Sequence, residues 1–137
     1  MKKIEVRPIV EGKVENQAIV SPISISFLGG VDPETGIIID SENPLFGESI
    51  SNKILVFPES KGSTVGSYVI YGLQVNGVAP AAFVTNYAEP IIVAGAILAD
   101  IVLVDQPEED LFSNIETGDL ISIDTDSKQI VIRKKSD

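Results

Sequence analysis

Lys61, Gly62, Ser63 and Thr64 set a cation, a flexible backbone position and two hydroxyls side by side, just after the hydrophobic run "KILVF" stops at Pro58. Such a group can hold an anion. Glycine lets the backbone approach a ligand closely, the hydroxyls donate hydrogen bonds, and lysine adds a mobile point charge. A helix starting behind the group would add unpaired N–H groups and a favourable dipole. Ser67 contributes a third hydroxyl. The group is not a P-loop, because only one glycine precedes the hydroxyl residue and the lysine comes before it. The plainer reading is a polar turn in which Ser63 or Thr64 caps the helix, and composition alone favours it.

The distribution of charge keeps the first reading open. Basic residues cluster at the two ends: Lys2, Lys3, Arg7 and Lys13, then Lys128, Arg133, Lys134 and Lys135. From 14 to 127 only Lys53 and Lys61 remain, against 17 acidic residues. Three further candidates have plainer explanations. In "FLGGVDPETG", Gly29 and Gly30 permit tight backbone geometry, and Asp32 could orient a ligand or simply shape the turn before Pro33. Glu89 precedes Pro90 at an expected helix start, where capping accounts for it. The carboxylates of "EED" at 108–110 read as a solvated face, with no metal site expected.

Several function classes drop out. The chain has no cysteine and no histidine, so it cannot itself form disulfides, a thiolate-held cluster or an imidazole-based triad. Its formal charge of -10 repels a nucleic-acid backbone, so no nucleic-acid partner is expected. The opening "MKKIEVRPIVEG" lacks the apolar core of a signal peptide. The run "IIVAGAILADIVLV" at 91–104 is too short for a membrane span and contains Asp100. A cytoplasmic protein without membrane contact is expected. Its 137 residues suit a single domain over 1–137, with a core from about 4 to 133.

The elements that must position these residues can be read from pattern. Strands are expected over 3–9 and 17–27, with Pro22 marking an edge or bend, and a short one over 37–39. A strong strand ends at Phe57, and a helix with Gly66 inside it follows. "PAAFVTN" reads as a buried strand, 90–98 as a helix beginning with proline, and 101–104 as a strand. The tail carries strands at 120–123 and 129–133 around a polar turn. Segments 46–57 and 117–132 share one grammar, turn then strand then turn then strand, which suggests two hairpins of a small barrel. The sum is a compact β/α barrel-like domain, not a doubly wound parallel fold.

Longer motifs add a family. "PISISFLGGVDPETGIIID" (22–40), "ILVFPESKGSTVGSYVIYGL" (54–73), "NGVAPAAFVTNYAEPIIVAGAILADIVLVD" (76–105) and the closing "IETGDLISID" (115–124) stand in a specific order and spacing. Together they resemble the small subunits of archaeal phosphomevalonate dehydratases, the stand-alone swivel domains of the aconitase X family. The resemblance covers roughly residues 4–132.

The resemblance implies the swivelling β/β/α barrel of aconitase's mobile domain, capping a large subunit that carries an iron–sulfur cluster ([4Fe-4S] is expected) on its own cysteines. The implied reaction dehydrates (R)-5-phosphomevalonate to trans-anhydromevalonate 5-phosphate in the archaeal mevalonate pathway. The family's serine base follows a glycine in a basic-Gly-Ser motif, which here is Ser63. Lys61 stands where the family often has arginine, and so loses the planar two-pronged contact. Gly62 and Thr64 are expected from their residue types to bind substrate beside Lys61. By the resemblance Gly30 and Asp32, also expected to bind substrate, fall in a loop facing the partner's active site. Two other readings remain: a regulatory or scaffold subunit without chemistry, or the small subunit of a related hydroxy-acid dehydratase.

Overall fold

The computed structural model describes residues 1–135. Its strands are β1 (Lys2–Glu5), β2 (Arg7–Val10), β3 (Lys13–Val20), β4 (Ile54–Phe57), β5 (Ala82–Thr85), β6 (Val102–Asp105), β7 (Leu120–Asp124) and β8 (Gln129–Arg133). Two ten-residue helices, Gly66–Val75 and Pro90–Ala99, connect β4 to β5 and β5 to β6. The backbone at Phe27–Gly30 is a tight turn, with Leu28 and Gly29 outside helical geometry.

Residue patterning explains which strands go where. "ILVF" of β4 and "AFVT" of β5 are buried at every position, as expected of parallel strands covered on both faces. β3, β4, β5 and β6 accordingly pair in parallel, with Phe57 opposite Thr85 and Val84 opposite Val104. "LISID" and "QIVIR" alternate buried and partly exposed residues, and β7 and β8 form an antiparallel hairpin. The sheet runs β1-β8-β7-β3-β4-β5-β6-β2. Its two edge strands, β1 and β2, are separated in the chain only by Val6. The sheet must therefore curl until its edges meet, giving a nearly closed mixed barrel.

Two apolar layers result. One lies within the curled sheet, where Ile54, Val56, Val84 and Val104 meet Ile121, Ile130 and Ile132. The other lies between the parallel strands and the helices, where Leu55, Phe57 and Phe83 meet Ile70, Leu73 and Ile92. Successive residues of β4 point into alternate layers, as the period of a strand requires.

Most expected elements are present, and four differ. The short strand expected over 37–39 is reduced to two isolated bridges, Val31 with Ile38 and Ile37 with Ser49. The strand expected over 3–9 is two strands on opposite edges of the sheet. The strand expected over 17–27 begins earlier, at Lys13, and ends at Val20. Segment 46–57 is not a hairpin: turns and an Ile37–Ser49 bridge lead into β4, whose neighbours are parallel. Burial on both faces makes β4 a central strand. The companion segment 117–132 does form the hairpin of β7 and β8.

Candidate active site

The chain leaves β4 at Phe57, and the next residues are tied to the segment before the Phe27 turn. Ile25 N–H donates to the Glu59 carbonyl at 3.2 Å, and Lys61 N–H to the Ile25 carbonyl at 3.0 Å. Gly62 then adopts φ +96°, and a Cβ there would lie 2.6 Å from Ser26 Oγ. Only glycine suits this position, on both conformational and steric grounds. Ser63 Oγ accepts the Val65 N–H at 3.1 Å, and its carbonyl accepts the Gly66 N–H at 2.9 Å. The helix opens at Gly66, with Val65 in the cap position and no side-chain cap. The expected Ser63 or Thr64 cap is thus replaced by a local serine turn one step upstream.

Beneath this turn lie three phenylalanines from three segments. Phe27, Phe57 and Phe83 meet edge to face with centroids 5.7–5.9 Å apart, a geometry worth about 0.5–1.5 kcal/mol per pair beyond burial. Helix Gly66–Val75 is fixed against helix Pro90–Ala99 by a close fit: a Cβ on Gly95 would stand 2.6 Å from Ile70 Cδ1. Both helix starts are therefore held at the carboxyl ends of the parallel strands, the usual place for sites in parallel sheets.

Sequence reasoning missed the group that braces the turn from the side. Glu89 does not cap its helix. Its Oε1 accepts the Ser60 N–H at 3.0 Å, and its Oε2 accepts the Ser60 hydroxyl. Next to it, the fully buried Asp105 takes both prongs of Arg7 at 2.8 Å and the Ala88 N–H at 2.9 Å. The hydrogen bond from Arg7 to Asp105 raises the guanidinium pKa above its ordinary value. A faint signal existed in the chain: Ser60 lies three residues beyond Phe57, and Glu89 four beyond Thr85, while those strand ends are paired. It becomes readable only once the register is known.

The exposed groups are the ones with chemistry to offer. Ser63, Lys61 and Thr64 are all on the surface. Lys61 forms no ion pair among the described residues. The N–H groups of Gly62, Ser63 and Thr64 find no acceptor among the described residues either. Three successive N–H groups without an acceptor among the described residues, beside a cation, are a donor set suited to an anion. An open cavity of about 390 Å³ adjoins them, lined by Thr64, Val65, Ser67, Tyr68, Pro90, Ile91 and Ala94.

Gly30 and Asp32 lie along the helix, away from this turn. Gly30 is buried, and its carbonyl accepts the Ile39 N–H at 2.9 Å. Asp32 Oδ1 accepts the Glu34 N–H at 2.9 Å, closing its own turn. The loop passes Gly66 at Leu28 and reaches Gly72 at Pro33, about 9 Å further along the helix at its normal rise. Among the described residues no three His, Cys, Asp or Glu side chains gather as metal ligands, and a cysteine-free chain does not fit the role of cluster holder.

Comparison with known proteins agrees with this geometry. Residues 3–132 match the model of the aconitase X swivel domain. A phosphomevalonate dehydratase small subunit of Thermococcus kodakarensis is 51% identical over 130 residues, 95% of this chain and 96% of that one. Another, from Methanococcoides burtonii, is 49% identical over 125 residues, 91% of each chain. A chain in the crystal structure of holo-form aconitase X from Thermococcus kodakaraensis superposes with a TM-score of 0.92 at 49% identity, covering 98% of this chain and all of that one. With its curled mixed sheet, its two helices and its basic-Gly-Ser turn, this chain belongs to the aconitase X swivel domain family.

Proposed function

We propose that this chain is the small subunit of a phosphomevalonate dehydratase and contributes the base of a site completed by a larger subunit. The supporting observation is the turn itself, an exposed Ser63 hydroxyl flanked by a lysine and three N–H groups that find no partner among the described residues. In the proposed step Ser63, as an alkoxide, takes the proton α to the substrate carboxylate. The C–H electron pair becomes the new double bond. The C–O pair leaves with the β-hydroxyl, which accepts a proton on the partner's side and departs as water.

A free serine is a very weak base, so its environment has to favour the oxyanion. The Val65 N–H already donates to Ser63 Oγ at 3.1 Å, at the positive end of helix Gly66–Val75. Lys61 adds positive potential from two residues away. Closure against a partner excludes water and strengthens all three effects. Lys61, Gly62 and Thr64 also hold a substrate anion, while Gly30 and Asp32 contribute through the loop that they shape. An iron–sulfur cluster on the larger subunit would supply a Lewis acid for the departing hydroxyl. A cytoplasmic location suits such an enzyme, and no helix among the described residues is long and apolar enough to cross a membrane.

The test is reconstitution with the larger subunit and assay with (R)-5-phosphomevalonate. The isolated chain should be inactive and the complex active, and Ser63→Ala should leave assembly intact while abolishing most turnover. An assembled Ser63→Ala complex with near-normal kcat would leave the chain a scaffold subunit. A complex that dehydrates only another hydroxy acid would overturn the substrate.

A further inference from the structure

The two helices present a surface unlike the remainder of this acidic chain. Between Lys61 and Asp100 the only charged residue is Glu89, in a chain of which 22% is charged, and Glu89 is engaged with Ser60. Surface helices ordinarily turn charged residues to solvent, yet neither Gly66–Val75 nor Pro90–Ala99 contains one. Val65, Tyr68, Tyr71 and Val75 follow helical spacing along an outer stripe, with Tyr68 68% and Val75 65% exposed. Ile97 and Leu98 continue the apolar surface on the second helix. All three tyrosines of the chain, Tyr68, Tyr71 and Tyr87, are exposed in this region. Loss of charge together with exposed tyrosine is the composition of an interface centre.

From this composition we infer that the helix-pair face, entered at Val65 beside the Ser63 turn, is the docking surface for the larger subunit, a separate chain offering an uncharged apolar surface. The inference rests on the two-subunit reading above. A second copy does not fit well: two chains of formal charge -10 repel each other, and the neutral stripe has no charge to offset that. Val65 is shared by the stripe and the turn, donating its N–H to Ser63 Oγ. Docking there would therefore seal the Ser63 turn from water in the same step.

Substrate-free binding of the chain to the purified larger subunit, measured as a Kd, tests this face independently of catalysis. Tyr68→Glu introduces a charge at an exposed helical site and should weaken the complex by about 30-fold or more, with the Tm of the isolated chain unchanged. Asp126→Lys, in the exposed β7–β8 turn, should bind as wild type. Unchanged affinity of Tyr68→Glu would overturn the assignment. So would equal weakening by Asp126→Lys, or a self-association of the isolated chain that Tyr68→Glu abolishes. A wild-type complex that forms but does not dehydrate (R)-5-phosphomevalonate would instead strike only the proposed reaction.

Discussion

The chain holds two clusters of charge and hydrogen bonds that end in opposite conditions. Around Asp119 everything is satisfied. This fully buried carboxylate accepts the Glu116 N–H at 2.8 Å, Lys134 Nζ at 2.6 Å and the Lys135 N–H at 3.1 Å. Lys134 also meets Glu116 at 3.3 Å, and Lys135 Nζ donates to the Thr117 carbonyl at 2.9 Å. Around Ser63 the outer groups, Lys61 and the N–H groups of 62–64, have no partners among the described residues. The bracing carboxylate, Glu89, is engaged with Ser60, one residue behind Lys61, and among the described residues no other carboxylate pairs with the exposed cation. A cluster closed within its own chain stabilises the fold. One left open is available to something outside it.

The largest expected effect breaks this contrast at its open end. Ser63→Ala in the assembled complex should lower kcat by about 10³-fold, within the range for loss of a positioned base. Its Tm should stay put, because an exposed side chain away from the core rarely contributes more than about 0.5 kcal/mol. At the closed end the pattern should invert. Asp119→Ala strands two N–H groups and leaves Lys134 its longer contact with Glu116, and should cost about 3 kcal/mol in chemical denaturation. The folded complex should keep its kcat.

Acid titration sharpens the same point. Burial alone would raise the Asp119 pKa, but hydrogen bonds from Lys134 and the Glu116 and Lys135 N–H groups outweigh it and hold the pKa below the ordinary value. Asp119 therefore adds stability above the ordinary aspartate range, and the contribution is lost as pH falls through the depressed folded value. A denaturation midpoint of Asp119→Asn with the same acid dependence as wild type would refute this.

Smaller effects lie between the two. Gly62→Ala forces a side chain into a left-handed conformation against Ser26, and should cost about 1–2 kcal/mol of stability together with some turnover. Circular dichroism melts and the assay would report both. Lys61→Ala should leave Tm alone and lower kcat/KM by about tenfold, as expected for one charge-assisted contact. Unchanged kcat/KM would return Lys61 to an ordinary surface role.

Much of this was legible in the chain, and what was not has a physical reason. The all-apolar runs "ILVF" and "AFVT", the proline-led helix and the closing hairpin each declare themselves within a few residues. The turn at 61–64 is also local, since its glycine, hydroxyls and lysine are contiguous. The Ser60–Glu89 brace and the Arg7–Asp105 pair are set by strand register across 29 and 98 residues, which periodicity does not encode. The division of 3–9 at Val6 was hidden for another reason. Both halves look like strand, and only closure of the sheet assigns them to different neighbours.

That division has a consequence for how the molecule can come apart. A typical sheet has edge strands far apart in the chain, and one can fray while the other stays paired. Here β8 and β6 are covered by strands joined through a single residue. Losing the first ten residues would uncover two rows of unpaired backbone groups together, each a template for pairing with another molecule. The barrel's protection from aggregation is thus concentrated in one short ribbon at its amino terminus.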